Sequence, residues 1–154
     1  MSENRVEKAS KIMDELRGSC SQAIFATYGE YLSSGRIDYD MCMKIASGFG
    51  GGIASSGNVC GALTGAIMAL GIKYGGTKME KDVTQISTKL LNEFKELNGS
   101  VLCGELINHE LVTDGLITDE DIQHAFESGA FNNCLKYVAD VAKLMEKFID
   151  NQSI

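Results

Sequence analysis

Apolar residues in this chain return every three or four positions for most of its length, and almost nowhere every second one. That spacing belongs to helices that bury one face, not to strands. The 154 residues contain no proline, so glycines and capping residues must set the helix boundaries. Val6, Ala9, Met13 and Leu16 share a face in a first helix over roughly Glu3 to Arg17, which stops at Gly18. A capping box, Ser19 with Gln22, opens a second helix carrying Ala23, Ile24, Ala26 and Tyr28. After the turn Ser33-Ser34-Gly35, a third helix runs from near Asp38 to Ala46, and Gly48 to Gly57 reads as a flexible loop. A fourth helix follows from Asn58 to about Leu70, closed by Gly71 and by Gly75-Gly76. Thr77 with Glu80 forms another capping box before a helix with Val83, Ile86, Leu90, Phe94 and Leu97 in register, ended by Gly99. Short helices are expected from Ser100 to Ile107 and, through the box Thr118 with Asp121, to about Ser128. The last helix spans about Asn133 to Asp150 on Leu135, Val138, Val141, Met145 and Phe148. The expected fold is all-α: one domain over residues 1–154, a bundle of about six to eight helices with a Gly-rich loop before a central Gly-striped helix.

Composition narrows the function classes. With 44% hydrophobic and 23% charged residues the chain can bury a core. A net charge of −7 without a Lys/Arg cluster argues against nucleic acid and anionic membranes as partners. The longest apolar stretch, Val59 to Ile72, is interrupted by Gly61, Thr64, Gly65 and Gly71. It falls short of the roughly 20 residues a membrane span needs, so no membrane insertion is expected. The segment Met1 to Lys8 has no apolar export core, and the expected location is the cytoplasm. There thiols stay reduced, and grouped cysteines point to metal or redox chemistry rather than structural disulfides. Five cysteines also cannot pair off completely.

The cysteine positions carry the functional argument. Cys20 follows the cap residue Ser19, Cys60 lies two after Asn58, Cys103 three after Ser100, and Cys134 directly follows Asn133. All four fall in the first turn of an expected helix. Unpaired backbone N–H groups and the positive end of the helix dipole favour an anion there. The same setting lowers a thiol's pKa and makes it a better nucleophile and metal ligand. Any one of these cysteines reads more simply as a small buried hydrophobe; four at four helix starts suggest a shared pocket. Cys42, inside Met41-Cys42-Met43 and a full turn past Asp38, reads as core. No two are spaced as Cys-x-x-Cys, which excludes zinc-ribbon, thioredoxin-type and ferredoxin-type local motifs. Any common site must therefore be assembled by the fold.

Ten of the 17 glycines lie between Gly48 and Gly76. The known nucleotide-loop motifs fail, because no Gly-x-x-x-x-Gly-Lys occurs and Ile53 stands where the dinucleotide pattern needs glycine, which leaves phosphate binding only weak support. Gly57, Gly61, Gly65 and Ala69 recur every four residues instead. Such a stripe admits a neighbouring backbone, or leaves room beside Cys60 for a cofactor touching Gly61 and Gly65. His109 and His124 form no metal-binding pair and are expected on exposed surfaces. Glu105, two residues after Cys103, is placed to hydrogen-bond within the site.

Taken in order, Cys20-Ser21-Gln22-Ala23, Gly50-Gly51-Gly52, Cys60-Gly61-Ala62-Leu63-Thr64-Gly65, Val101-Leu102-Cys103-Gly104-Glu105-Leu106 and Cys134 resemble the C_GCAxxG_C_C family of redox-active proteins. The likeness covers nearly all of the chain from Cys20 onward. It departs at Gly104, where the family pattern suggests a larger, often basic residue, and Cys42 lies outside the pattern. The resemblance implies a prosthetic group such as an iron–sulfur cluster or another metal ion. It also implies an accessory role beside an oxidoreductase or transporter component.

Three readings stand at this point. In the first, Cys20, Cys60, Cys103 and Cys134 ligate an iron–sulfur cluster or other thiophilic metal for electron transfer or sensing. In the second, two cysteines form a reversible disulfide in a thiol–disulfide oxidoreductase. In the third, a non-enzymatic metal-handling or interaction module uses its Gly-striped helix to bind a partner. Homo-oligomerisation also remains open.

Overall fold

Helix periodicity without strand alternation folds as expected. In the computed structural model, which describes residues 4–79, 81–107 and 118–150, the chain is all-α. The described helices are α1 (Arg5–Asp14), α2 (Cys20–Leu32), α3 (Tyr39–Ala46), α4 (Gly61–Tyr74), α5 (Lys81–Asn98), α6 (Cys103–Leu106), α7 (Asp119–Glu127) and α8 (Cys134–Asp150). No helix among the described residues is long and apolar enough to cross a membrane.

The core is organised around α2, which packs chiefly on α4 and also on α1, α3 and α8. Residues Ala23 to Gly29 of α2 are buried without a break, because neighbours cover several of its faces. Glycine makes the α2–α4 contact close. A Cβ on Gly65 would lie 2.7 Å from the Ser21 carbonyl oxygen, so the stripe admits the α2 backbone itself. Helices α5 and α8 are instead amphipathic: α5 buries the single stripe Ile86, Leu90 and Phe94, and α8 a broader face that adds Tyr137, Ala142, Leu144 and Ile149 to Val138, Val141, Met145 and Phe148. Inside, the Tyr28 hydroxyl donates to the Ala142 carbonyl at 3.0 Å. At the rim, Arg5 grips Glu146 through two hydrogen bonds of 2.7 and 2.9 Å.

Several boundaries differ from expectation. Helix α1 ends at Asp14, and Leu16 lies beyond it with left-handed backbone (φ 56°) and 80% exposed; Ile12 takes the core position. Helix α4 starts at Gly61 rather than Asn58, and it runs through Gly71 to Tyr74, with Gly75 as its cap. Helix α6 starts at Cys103, because the Ser100 hydroxyl turns instead to the Glu105 carboxylate (2.6 Å) and the Leu102 N–H (3.0 Å). Leu97 and Leu135 share their helices' apolar registers but sit where those helices leave the core, and both are exposed. The boxes at Ser19–Gln22 and Thr118–Asp121 form, whereas Glu80 of the third box lies outside the described residues, as does His109.

The Gly-rich loop is ordered by its own backbone rather than loose. Gly51 to Ser55 all have left-handed φ, between 50° and 74°. Bonds of 3.0 Å from Ser55 N–H to the Gly50 carbonyl and from Asn58 N–H to the Gly52 carbonyl lock the turn. Three of those left-handed residues carry side chains, and Ile53 is β-branched, a conformation L-residues avoid. Past this loop, Val59 pairs with Leu102 in an isolated antiparallel bridge. Cys60 N–H donates to the Val101 carbonyl (2.8 Å) and Cys103 N–H to the Asn58 carbonyl (2.7 Å), which ties the starts of α4 and α6 together.

Candidate functional site

The fold brings helix starts to one end of the bundle, and the cysteines come with them. Cys20, Cys103 and Cys134 are the first residues of α2, α6 and α8, and Cys60 is the N-cap of α4. A cavity of about 600 Å³ opens between them. Cys20, Cys103 and Cys134 line it, whereas Cys60 is buried and not part of its wall. Cys42 is buried elsewhere, its thiol donating to the Ile37 carbonyl at 3.6 Å, as its core assignment requires.

Cys20 and Cys60 form the tightest unit. A Cβ on Gly61 would lie 2.6 Å from Cys20 Sγ and 3.0 Å from the Phe49 carbonyl oxygen. Only glycine after Cys60 leaves room for the Cys20 sulfur. The sulfur sits in a nest of donors: the Cys60 thiol, then the backbone N–H groups of Gly51, Ser21 and Ala62. Each donor comes from a different part of the fold, namely the α4 cap, the left-handed turn, the first turn of α2 and the first turn of α4. Together they stabilise the thiolate against the cost of burial and bring Cys20 down to about 7. Cys60, as the donor to that thiolate and itself buried, is pushed well above the ordinary thiol value. One proton is thus shared unequally by two sulfurs.

The other two thiols behave differently. Burial, reinforced by the charge at Cys20, pushes Cys103 up to about 11. Burial and the neighbouring Cys20 and Cys103 push Cys134 up to about 12. A helix start therefore does not by itself acidify a thiol here, contrary to the expectation for all four. Helix α6 is a single turn of four residues with little dipole, and desolvation outweighs what the N–H groups offer. Cys103 and Cys134 belong to a small apolar cluster with Ile107, Ala125, Ala130 and Phe131, apart from the main core.

Four thiols are a donor set that suits iron–sulfur clusters and zinc. Among the described residues no group of three or more His, Cys, Asp or Glu side chains is gathered closely enough to hold a metal ion. The space expected for a cofactor beside Gly61 and Gly65 is filled by Cys20 Sγ and the Ser21 carbonyl. Glu105 is exposed and engaged with Ser100. His124 is exposed on α7, as expected.

Periodicity did not reveal the three backbone donors around Cys20, because they converge from distant segments. It also missed the apolar cavity wall of Met13, Leu16, Ile122, Phe126, Phe131 and Leu135. The signal for that wall lies in α7, whose large apolar residues Ile122 and Phe126 both remain exposed while its buried residue is Ala125.

Comparison with known proteins gives two findings. A family model described as "Putative redox-active protein (C_GCAxxG_C_C)" matches residues 19–148. An uncharacterised protein of Archaeoglobus fulgidus is 32% identical over 117 residues, covering 68% of this chain and 74% of that protein. No solved structure matches.

Proposed function

The chain belongs to the C_GCAxxG_C_C family of redox-active proteins, and from that premise we propose that it is a thiol–disulfide oxidoreductase whose working pair is Cys20 and Cys60. The observation that supports this reading is the Cys20 sulfur seated where a Cβ on Gly61, the residue directly after Cys60, would lie 2.6 Å away, with the Cys60 thiol and nearby backbone N–H groups favouring its thiolate. A thiolate near neutrality with a protonated thiol beside it has the makings of an attacking and a resolving cysteine.

The chemistry balances with a disulfide as oxidant. The Cys20 thiolate attacks one sulfur of a substrate R–S–S–R′, the substrate S–S bond breaks, and R′S⁻ leaves and takes a proton from solvent. Once Cys20 is in a mixed disulfide, its negative charge no longer holds the Cys60 proton. Cys60 then loses that proton to solvent and attacks Cys20 Sγ, forming the Cys20–Cys60 disulfide and expelling RS⁻. Two electrons pass from the protein to the substrate, and an external dithiol returns them. A cytoplasmic setting would supply such dithiols and keep the resting pair reduced.

Peptide mapping after mild oxidation tests the proposal. A loss of two thiols with a Cys20–Cys60 cross-link is expected, and Cys42→Ser should leave it intact. Iron bound to anaerobically purified protein, with charge-transfer absorption that Cys20→Ser abolishes, would overturn it in favour of a metal centre.

A further inference from the structure

The cavity in front of Cys20 has walls that the thiol chemistry alone does not require. Leu16 is 80% exposed and Phe126 57%, and Ile122 and Leu135 also show much of their surface. Large apolar side chains left this open around one cleft are a mark of a binding surface. Phe126 is held in place by Phe131, with ring centroids 4.8 Å apart. Leu16 is presented by a left-handed residue past the end of α1, so its exposure is built into the backbone. The charge pattern is as one-sided as the hydrophobicity. Among the described lining residues the charges are those of Asp14 and the Cys20 thiolate, and no Lys, Arg or His joins them. The positive end of α2 is already matched by the Cys20 thiolate. The chain as a whole carries −7.

Resting on the dithiol reading above, we infer that the cleft walled by Leu16, Ile122, Phe126 and Leu135 binds a disulfide-bearing peptide segment of a partner protein whose flanking residues are apolar and uncharged. Small anionic disulfides are disfavoured on the same grounds. Oxidised glutathione would bring several carboxylates to a site whose described lining residues include an aspartate and no Lys, Arg or His to receive them. A peptide with leucine or phenylalanine beside its cystine would cover the exposed walls and place its sulfur at Cys20. The cavity, at about 600 Å³, is large enough for a short segment.

Stopped-flow measurement of mixed-disulfide formation at Cys20 in the full chain, with mass spectrometry to locate the adduct, tests this. The probes are the symmetric disulfides of acetyl-Leu-Cys-Phe-amide and acetyl-Glu-Cys-Glu-amide, together with oxidised glutathione. The apolar probe should react at least about tenfold faster than either anionic one, the ratio that roughly 1.4 kcal/mol produces. Phe126→Lys should narrow or reverse that preference, and Leu97→Ala, on the exposed side of α5, should leave it unchanged. Equal rates for all three probes, or a preference that survives Phe126→Lys, would overturn the inference while Cys20 remains the reactive thiol. Failure of Cys20 to form an adduct with any of the three would overturn the dithiol reading as well.

Discussion

Cys20 and Cys103 occupy the same kind of place, the first residue of a helix beside one cavity, yet their thiols are driven in opposite directions. Three backbone N–H groups and a neighbouring thiol meet the Cys20 sulfur. Cys103 sits in a small apolar cluster, where burial dominates. The contrast shows that a helix start offers donors, whereas acidity is decided by how many converge on the sulfur and what else covers it. It also divides the site into an α2–α4 half built by glycine for reactivity and an α6–α8 half built from apolar contacts.

The strongest way to break the comparison is at Gly61. Gly61→Ala would drive a methyl group into Cys20 Sγ and the Phe49 carbonyl. Chemical denaturation should show a loss of about 1–3 kcal/mol, and Cys20 should lose its fast alkylation as the nest is forced apart. An alanine tolerated with full Cys20 reactivity would show that the close approach is not what acidifies the thiol.

Cys60→Ala separates the donors without crowding them. It removes the largest stabilising partner of the thiolate and leaves the N–H groups of Gly51, Ser21 and Ala62. The pH midpoint for Cys20 alkylation should move from about 7 back toward the ordinary thiol value, with the backbone donors retaining part of the effect. An unmoved midpoint would assign the acidity to the backbone alone.

The other half of the site predicts an alkaline limit to stability. Folded Cys103 and Cys134 keep their protons to about 11 and about 12. The unfolded chain releases them near pH 8.5, so it binds fewer protons above that value. Their contribution is therefore complete below about pH 8.5 and is lost as pH rises through the folded values. Unfolding midpoints should fall across that window, and Cys103→Ala should flatten the slope. A slope identical to that of the unsubstituted chain would remove Cys103 as a source.

The mildest test concerns a glycine that the close packing does not need. Gly71 lies inside α4 with open space where a Cβ would go. Gly71→Ala should stabilise the protein by about 0.5–1 kcal/mol, opposite in sign to Gly61→Ala on the same helix. Thermal unfolding of the pair compares them directly.

Much of this architecture was legible in the sequence. Cap residues such as Ser19, Asp38 and Thr118 announce helix starts through local chemistry, and Ser19 places Cys20 at one of them. The stripe Gly61, Gly65 and Ala69 signalled a close neighbour without saying which. What fills it, Cys20 Sγ and the Ser21 carbonyl, depends on how α2 crosses α4, a tertiary fact with no local period. The left-handed turn at Gly51 to Ser55 was equally hidden, since Ile53, Ala54 and Ser55 have no intrinsic preference for that conformation. The Val59–Leu102 bridge, which sets Cys60 beside Cys103, is a single pair too short to leave an alternating pattern.

The central claim is that one thiol of the four is prepared for attack. Alkylation of the full chain with iodoacetamide across pH, resolved for each cysteine by mass spectrometry, measures it directly. Cys20 should be modified first, with a midpoint at about 7, while Cys60, Cys103 and Cys134 stay protonated and slow through neutral pH. Labelling of Cys103 or Cys134 as fast as Cys20, or a Cys20 midpoint at the ordinary thiol value, would contradict the account.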